Sequence, residues 1–244
     1  MEKKINRALV VSLILGLLFG GAAYFFRNAP HASEAVGEYT FPQLQYLDID
    51  LQRLSVELIP YDGEEITVEY KNDRPLEMEV GDNTLTITES SDFIVSLFTG
   101  KRSEFGVKIY LPRRQYREIT IYTATGAIDI YGLECQKLSA VTESGDINIA
   151  DIGYLASLVT TDGKIHADIT EIVSDTEILN RNGDTELTLP RDSSFAIDFK
   201  TNDGECRTDM LSGQIDGDFY YAFNGGRRQI SVTAEHGTFV FNER

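Results

Sequence analysis

The chain has 244 residues, 42% of them hydrophobic and 10% aromatic, enough for a substantial core, which excludes a disordered or low-complexity protein. Its formal net charge is −17; residues 1–27 hold four basic residues and one acidic, so the remainder keeps 18 basic against 38 acidic residues, a net −20. A surplus of that sign excludes nucleic acid and anionic lipid as main ligands, because phosphates are repelled by it.

Residues 1–7 carry Lys3, Lys4 and Arg7 and predict a short cytoplasmic tail. Ala8 to Phe26 follows as 19 uncharged residues, ALVVSLILGLLFGGAAYFF. As a helix this run spans roughly 28 Å, close to the thickness of a bilayer core. With only Arg27 nearby on the far side, the basic residues place the N-terminus in the cytoplasm and everything beyond outside the cell membrane. Tyr24, Phe25 and Phe26 then sit at the outer interface. The competing reading is a cleaved signal peptide, with Gly21-Ala22-Ala23 or Ser33-Glu34-Ala35 as small-residue sites; the first lies inside the apolar run and the second far beyond it. A single-pass anchor, transmembrane helix 8–26, is therefore expected, with a linker over 27–38.

Residues 39–244 predict one extracytoplasmic β domain. Between 39 and 111 the runs LDIDL, LSVELI, ITVEY, LEMEV, LTIT and VKIYL alternate with period two, separated by turns at Tyr61-Asp62-Gly63, Asp73-Arg74-Pro75 and Gly81-Asp82-Asn83. These read as irregular first coils and a cap. One segment breaks the alternation: Phe93, Ile94, Leu97 and Phe98 lie in a continuous apolar run followed by Lys101-Arg102. It has two readings, a contact with membrane or partner and a plug over the open end of the core.

Residues 112–208 repeat one short unit, seen in ITIYTATGAIDI, LSAVTESGDINI, ASLVTTDGKIHA, TEILNRNGDTEL and IDFKTNDGECRT; a sixth copy, ISVTAEHGTFVF, closes the chain. The copies align on Gly126, Gly145, Gly163, Gly183, Gly204 and Gly237. Apolar or small residues stand seven, five and three positions before each glycine and two and four after it. The buried parity therefore flips at the glycine, as it does when a strand turns a corner. A left-handed or bulged conformation is the expected reason for glycine there. The unit is strand, glycine corner, strand, and copies must stack to bury their apolar side. The expected fold is all-β: a single-stranded right-handed parallel β-helix, or β-solenoid. Residues 209–244 add the insertion DMLSGQIDGDFYYAFNGGRR and the last coil. Its Phe219, Tyr220, Tyr221 and Phe223 precede a hairpin-type turn at Asn224-Gly225-Gly226 and pack as a cap or meet a glycan or protein.

No catalytic constellation, cofactor motif or metal-ligand spacing is visible, so no catalytic, cofactor-binding or metal residue is assigned and the protein reads as a non-enzyme. His31, His166 and His236 fall far apart, the last two in different copies and on different parts of the unit. Cys135 and Cys206 occupy non-equivalent positions and are expected as free or buried thiols. Glu143, Asp146, Asp162, Asp184, Asp203 and Glu205 gather at the corners, where acidic residues are favoured for their conformation; bridging divalent cations are the other reading. The partners expected are a cell-envelope protein, a cationic peptide or a divalent cation. The alternative function class is a carbohydrate-active β-helix enzyme, such as a polysaccharide lyase or hydrolase.

VKIYLP at 107–112, followed by EITIYTATGAIDIYGL and LSAVTESGDINI, resembles the LiaG-like adhesin domain family over roughly residues 40–244. The resemblance implies a right-handed β-solenoid in the cell envelope of Gram-positive bacteria, often behind one transmembrane segment, with adhesin-like or envelope-stress roles and no catalytic residues. Thr176 and Thr185, at core positions of the fourth copy, and the insertion depart from the family's pattern.

Overall fold

The computed structural model describes residues 35–72, 75–89, 106–155, 157–208 and 214–244. These are all β; no helix among them is long and apolar enough to cross a membrane. Ala8 to Phe26 lies outside the described residues, as do Phe93, Ile94, Leu97 and Phe98.

The N-terminal part supplies seven strands: β1 (Ala35–Phe41), β2 (Tyr46–Leu51), β3 (Ser55–Tyr61), β4 (Ile66–Asn72), β5 (Leu76–Gly81), β6 (Thr84–Glu89) and β7 (Gly106–Pro112). Each repeat then supplies two strands around its glycine. These are β8 (Glu118–Thr123) with β9 (Ile128–Tyr131), β10 (Leu138–Thr142) with β11 (Ile147–Ile152), and β12 (Ser157–Thr160) with β13 (Ile165–Ile169). Next come β14 (Thr176–Asn182) with β15 (Thr185–Leu189) and β16 (Phe195–Thr201) with β17 (Glu205–Thr208). The insertion forms β18 (Gln214–Asp216) and β19 (Phe219–Phe223), and the last copy β20 (Gln229–His236) and β21 (Thr238–Glu243).

First arms collect in one sheet, ordered β19-β16-β20-β14-β12-β10-β8-β2-β6-β5, and second arms in another, ordered β1-β4-β7-β3-β9-β11-β13-β15-β21-β17-β18. The parity read from the sequence is the burial observed: Ile119, Ile121, Ile128 and Ile130 are wholly buried while Thr120, Tyr122 and Asp129 face outward. Pairing between repeats is parallel and in register, for example Ile121 with Ala140 and Ile128 with Ile147. Thr176 and Thr185 do not disturb it, and both are buried. Thr176 donates to the Leu155 carbonyl at 3.1 Å, and Thr185 Oγ1 accepts from the Asn180 amide at 3.2 Å.

The stacking does not follow the chain. The coil β2–β3 sits between β6–β7 and β8–β9, and the final coil β20–β21 sits between β14–β15 and β16–β17. Both ends are closed by reversed strands: β5 runs antiparallel to β6, β4 to β7, β18 to β17 and β19 to β16. Hence the turn at Asn224-Gly225-Gly226 is not a hairpin between neighbours. It carries the chain past β16, which separates β19 from β20. At that end Phe199 stacks on Phe239 at 5.4 Å and Phe219 on Phe199 at 5.3 Å, so aromatic area closes the core where the repeats stop.

Five of the corner glycines, 126, 145, 163, 183 and 204, have no positive φ; only Gly237 does, at 119°. The left-handed expectation is thus corrected for those five. They are glycines because the backbone of the adjacent coil passes where a side chain would start. A Cβ on Gly126 would lie 2.0 Å from the Leu54 carbonyl oxygen, one on Gly145 2.1 Å from Gly126 O, and one on Gly163 2.0 Å from Gly145 O. Beside this column the threonine three positions earlier is buried and donates to the same carbonyls: Thr142 to Gly126 O and Thr160 to Gly145 O, each at 3.2 Å. A hydroxyl there satisfies an acceptor that water cannot reach.

Candidate functional site

In-register stacking makes each outward position of the repeat into a straight row. On the first-arm sheet the position four before each glycine holds Tyr122, Val141, Val159 and Leu179, paired coil to coil and each half-buried. The neighbouring row, six before the glycine, holds Thr120, Ser139, Ser157 and Glu177. Four apolar or aromatic side chains and three hydroxyls thus form one strip along consecutive coils on the outer face of this sheet. A strip of this kind exposes apolar area while giving hydroxyls that donate or accept, the mix of a contact surface.

The second-arm sheet presents the opposite chemistry. Glu69, Lys108, Glu57, Asp129, Asn148, His166 and Glu186 stand in register across seven strands. Lys108 pairs with Glu57 at 3.0 Å, the Asn148 amide donates to Asp129 at 2.7 Å, and His166 Nδ1 lies 3.2 Å from Glu186. The hydrogen bond and charge of Glu57 hold the Lys108 ammonium above its ordinary range. Near β1 this row borders an open groove of about 720 Å³ lined by Glu57, Glu69, Lys108 and Asp129. Exposed ion pairs of this sort are screened by water and salt, so the row has little part in holding the fold.

The corner carboxylates do not converge. Asp146 accepts from the Lys164 backbone N–H at 2.7 Å, Asp184 from that of Thr238 at 3.1 Å, and Asp162 from the Asn182 amide at 2.8 Å. Glu143 accepts from the Tyr122 hydroxyl at 2.8 Å, which raises that phenol above its ordinary range. Asp203 pairs with His236, and Glu205 with Arg207. Each carboxylate therefore ties one coil to its neighbour or braces its own corner. Among the described residues no group of three His, Cys, Asp or Glu side chains is placed to hold a metal ion. His166 and His236 are two coils apart rather than the three copies that separate them in the chain, because the last coil is interleaved, yet they lie on opposite arms. Cys135 and Cys206 are free and buried, and burial pushes both thiols up to about 12.

The insertion's aromatics differ in exposure: Phe219 and Phe223 pack on the core, Tyr221 shares their face but is 44% exposed, and Tyr220, on the other face, is 64% exposed. The outer apolar row went unassigned from sequence, although its signal is there: an apolar residue four before the glycine in four consecutive copies, on the parity that should be polar.

A family model described as Toastrack DUF4097 matches residues 44–155 and, again, 123–240. No curated protein matches the chain in sequence. Among solved structures, a candidate cell adhesion protein from Clostridium sporogenes aligns at 15% identity and TM-score 0.47, covering 86% of this chain and 100% of that one. A candidate adhesin from Bacteroides fragilis aligns at 13% identity and TM-score 0.46, over 87% of this chain and 98% of that one. One from Parabacteroides distasonis aligns at 11% identity and TM-score 0.40, over 86% and 97%.

Proposed function

This chain belongs to the Toastrack family, and on that premise we propose that it is a non-catalytic, adhesin-like contact module, a right-handed parallel β-solenoid held outside the cell membrane by its N-terminal segment. The observation that carries the reading is the strip Tyr122, Val141, Val159 and Leu179 beside Thr120, Ser139 and Ser157. These four side chains pack on one another from coil to coil and keep an outward apolar edge that a partner laid along the coils would cover. The net −20 beyond residue 27 favours a basic protein or cationic peptide of the envelope, or divalent cations bridging to one, and the acidic row on the opposite sheet adds to that field. Catalysis is not part of the proposal: the corner carboxylates brace coils, and Glu57, Glu69 and Asp129 at the groove beside β1 belong to one row of a single sheet, with Lys108 tied to Glu57.

The test is a photocrosslinking residue placed at Val159 or, as the comparison, at Asn148 on the opposite sheet of the full chain in intact cells. Adducts specific to position 159, weakened by Val141→Asp with an unchanged unfolding midpoint, are expected. Turnover of a cell-wall glycan that a single Asp→Asn change abolishes would sink the contact reading in favour of a carbohydrate-active enzyme.

A further inference from the structure

The strip of Tyr122, Val141, Val159 and Leu179 has acid at both of its ends. On β2, the next strand beyond β8, Asp50 stands opposite Tyr122 and Asp48 opposite Thr120. On β14, Glu177 stands opposite Ser157. These three carboxylates are exposed, and among the described residues none of them has an ion-pair partner. The bases that border the strip are already engaged: Lys137 with Glu118, Arg181 with Glu235 at 3.5 Å and Lys200 with Asp198 at 3.8 Å. The face is therefore apolar along its middle and negative toward its ends.

Charge narrows what can cover it. A second copy laid along the same rows would set acid against acid at each end, and an anionic lipid surface would add its own repulsion. A partner with apolar side chains along its middle and cations toward its ends meets both features.

Spacing narrows the partner's conformation. From Tyr122 to Leu179 there are three steps between strands of about 4.8 Å, roughly 14 Å in all. Side chains on one face of an extended strand recur every two residues, so three such steps cover roughly 20 Å and slip by more than one coil. An α-helix returns to the same face every turn of 5.4 Å, so three turns cover roughly 16 Å, a difference that small side-chain tilts absorb. Asp50 and Glu177 are four strand steps apart, roughly 19 Å, the length of about thirteen helical residues.

We propose that the strip seats a basic amphipathic α-helix of a partner, lying across the coils with its apolar stripe on Tyr122, Val141, Val159 and Leu179 and cations near its two ends meeting Asp50 and Glu177. The helix is about three to four turns long. The hydroxyls of Thr120, Ser139 and Ser157 run beside the stripe and bond the polar side chains at its border. This inference rests on the strip being a contact surface and adds the shape and chemistry of what it contacts.

Two peptides of about fifteen residues test it, both made of the same numbers of leucine, alanine and lysine. One carries its leucines at i, i+4, i+7 and i+11, a helical stripe; its isomer carries them at every second position. Binding is measured at low salt to the full chain in nanodiscs of zwitterionic lipid, with empty discs as the reference. The striped peptide is expected to bind at least tenfold more tightly than its isomer. Val141→Ser together with Val159→Ser should abolish that preference at an unchanged unfolding midpoint. Asp50→Asn together with Glu177→Gln should weaken the striped peptide at least threefold, while Asn148→Ala on the opposite sheet should not. Equal binding of the two peptides, tighter binding of the isomer, or a preference that survives the two serines overturns the proposal. If photocrosslinked adducts at position 159 form in cells all the same, the contact reading stands without the helix; if they are missing too, both fall.

Discussion

Replacing a glycine by alanine where φ is ordinary removes unfolded-chain freedom and usually stabilises by about 0.4–1 kcal/mol. At Gly145 the sign reverses, because the new Cβ would stand 2.1 Å from the Gly126 carbonyl oxygen and adjacent coils would have to part. Gly145→Ala is expected to cost about 3 kcal/mol or more, and Gly145→Val more still. Gly81→Ala, with nothing within 4 Å of the added carbon, is expected to be neutral or stabilising. Urea unfolding of the two alanine variants checks this; similar midpoints would mean the column is not what demands glycine. The buried thiols give a second expectation. Their pKa is raised to about 12 in the folded chain, against about 8.5 when exposed. The neutral thiol is thus the native form, and its contribution to stability is complete below pH 8.5 and lost as pH climbs toward 12. Labelling by an iodoacetamide at pH 8 should be absent in the native state and should reach two equivalents on unfolding.

A coil at the end of a stack has one neighbour and is usually the part whose loss a repeat protein survives. Here the last coil in the chain is an inner coil of the stack: Ile230, Val232, Phe239 and Phe241 are wholly or almost wholly buried between β14–β15 and β16–β17. Deleting residues 229–244 is therefore expected to unfold the C-terminal coils, whereas removing β1, which among the described residues pairs with β4 alone, should leave them intact. Hydrogen exchange at Ile178, Leu187 and Phe199 distinguishes the outcomes; native protection in the 229–244 deletion would rule out the interleaved order. The same arrangement makes folding non-local, because β16 and β17 must wait for a strand some thirty residues later before both of their sides are paired, and long-range pairing of this kind slows folding.

For the molecule as a whole, charge is divided sharply between the first 27 residues and the rest. If Ala8 to Phe26 anchors the chain with its N-terminus inside, protease added to intact protoplasts should digest residues beyond 37 and spare a cytoplasmic marker. Release of a soluble form would instead favour cleavage of a signal peptide. Binding of a cationic peptide to the β domain should weaken steeply between about 50 and 500 mM salt, as the Debye length falls below the spacing of the surface carboxylates. Salt-independent binding would shift the weight to the apolar strip.

Local alternation, the glycine period and the small residue three positions before each glycine were enough to read the two-arm unit, its corner and its buried parity. Each of those follows from one repeat and the need to bury one side of a strand, as Ile119, Ile121, Thr123, Ile128 and Ile130 illustrate. What glycine is for was not legible, since the obstacle at Gly145 is the carbonyl of a residue 19 positions earlier. Nor was the order of the coils: β14 offers the same apolar rows to β16 as to β20, and the one that lies outermost is β16, whose Phe199 is covered by Phe219 of the insertion. The outer row at Tyr122, Val141, Val159 and Leu179 was spelled out four positions before each glycine. It became a surface only when parallel, in-register stacking set those side chains next to one another, because proximity between coils is a property of the pairing and not of any one strand.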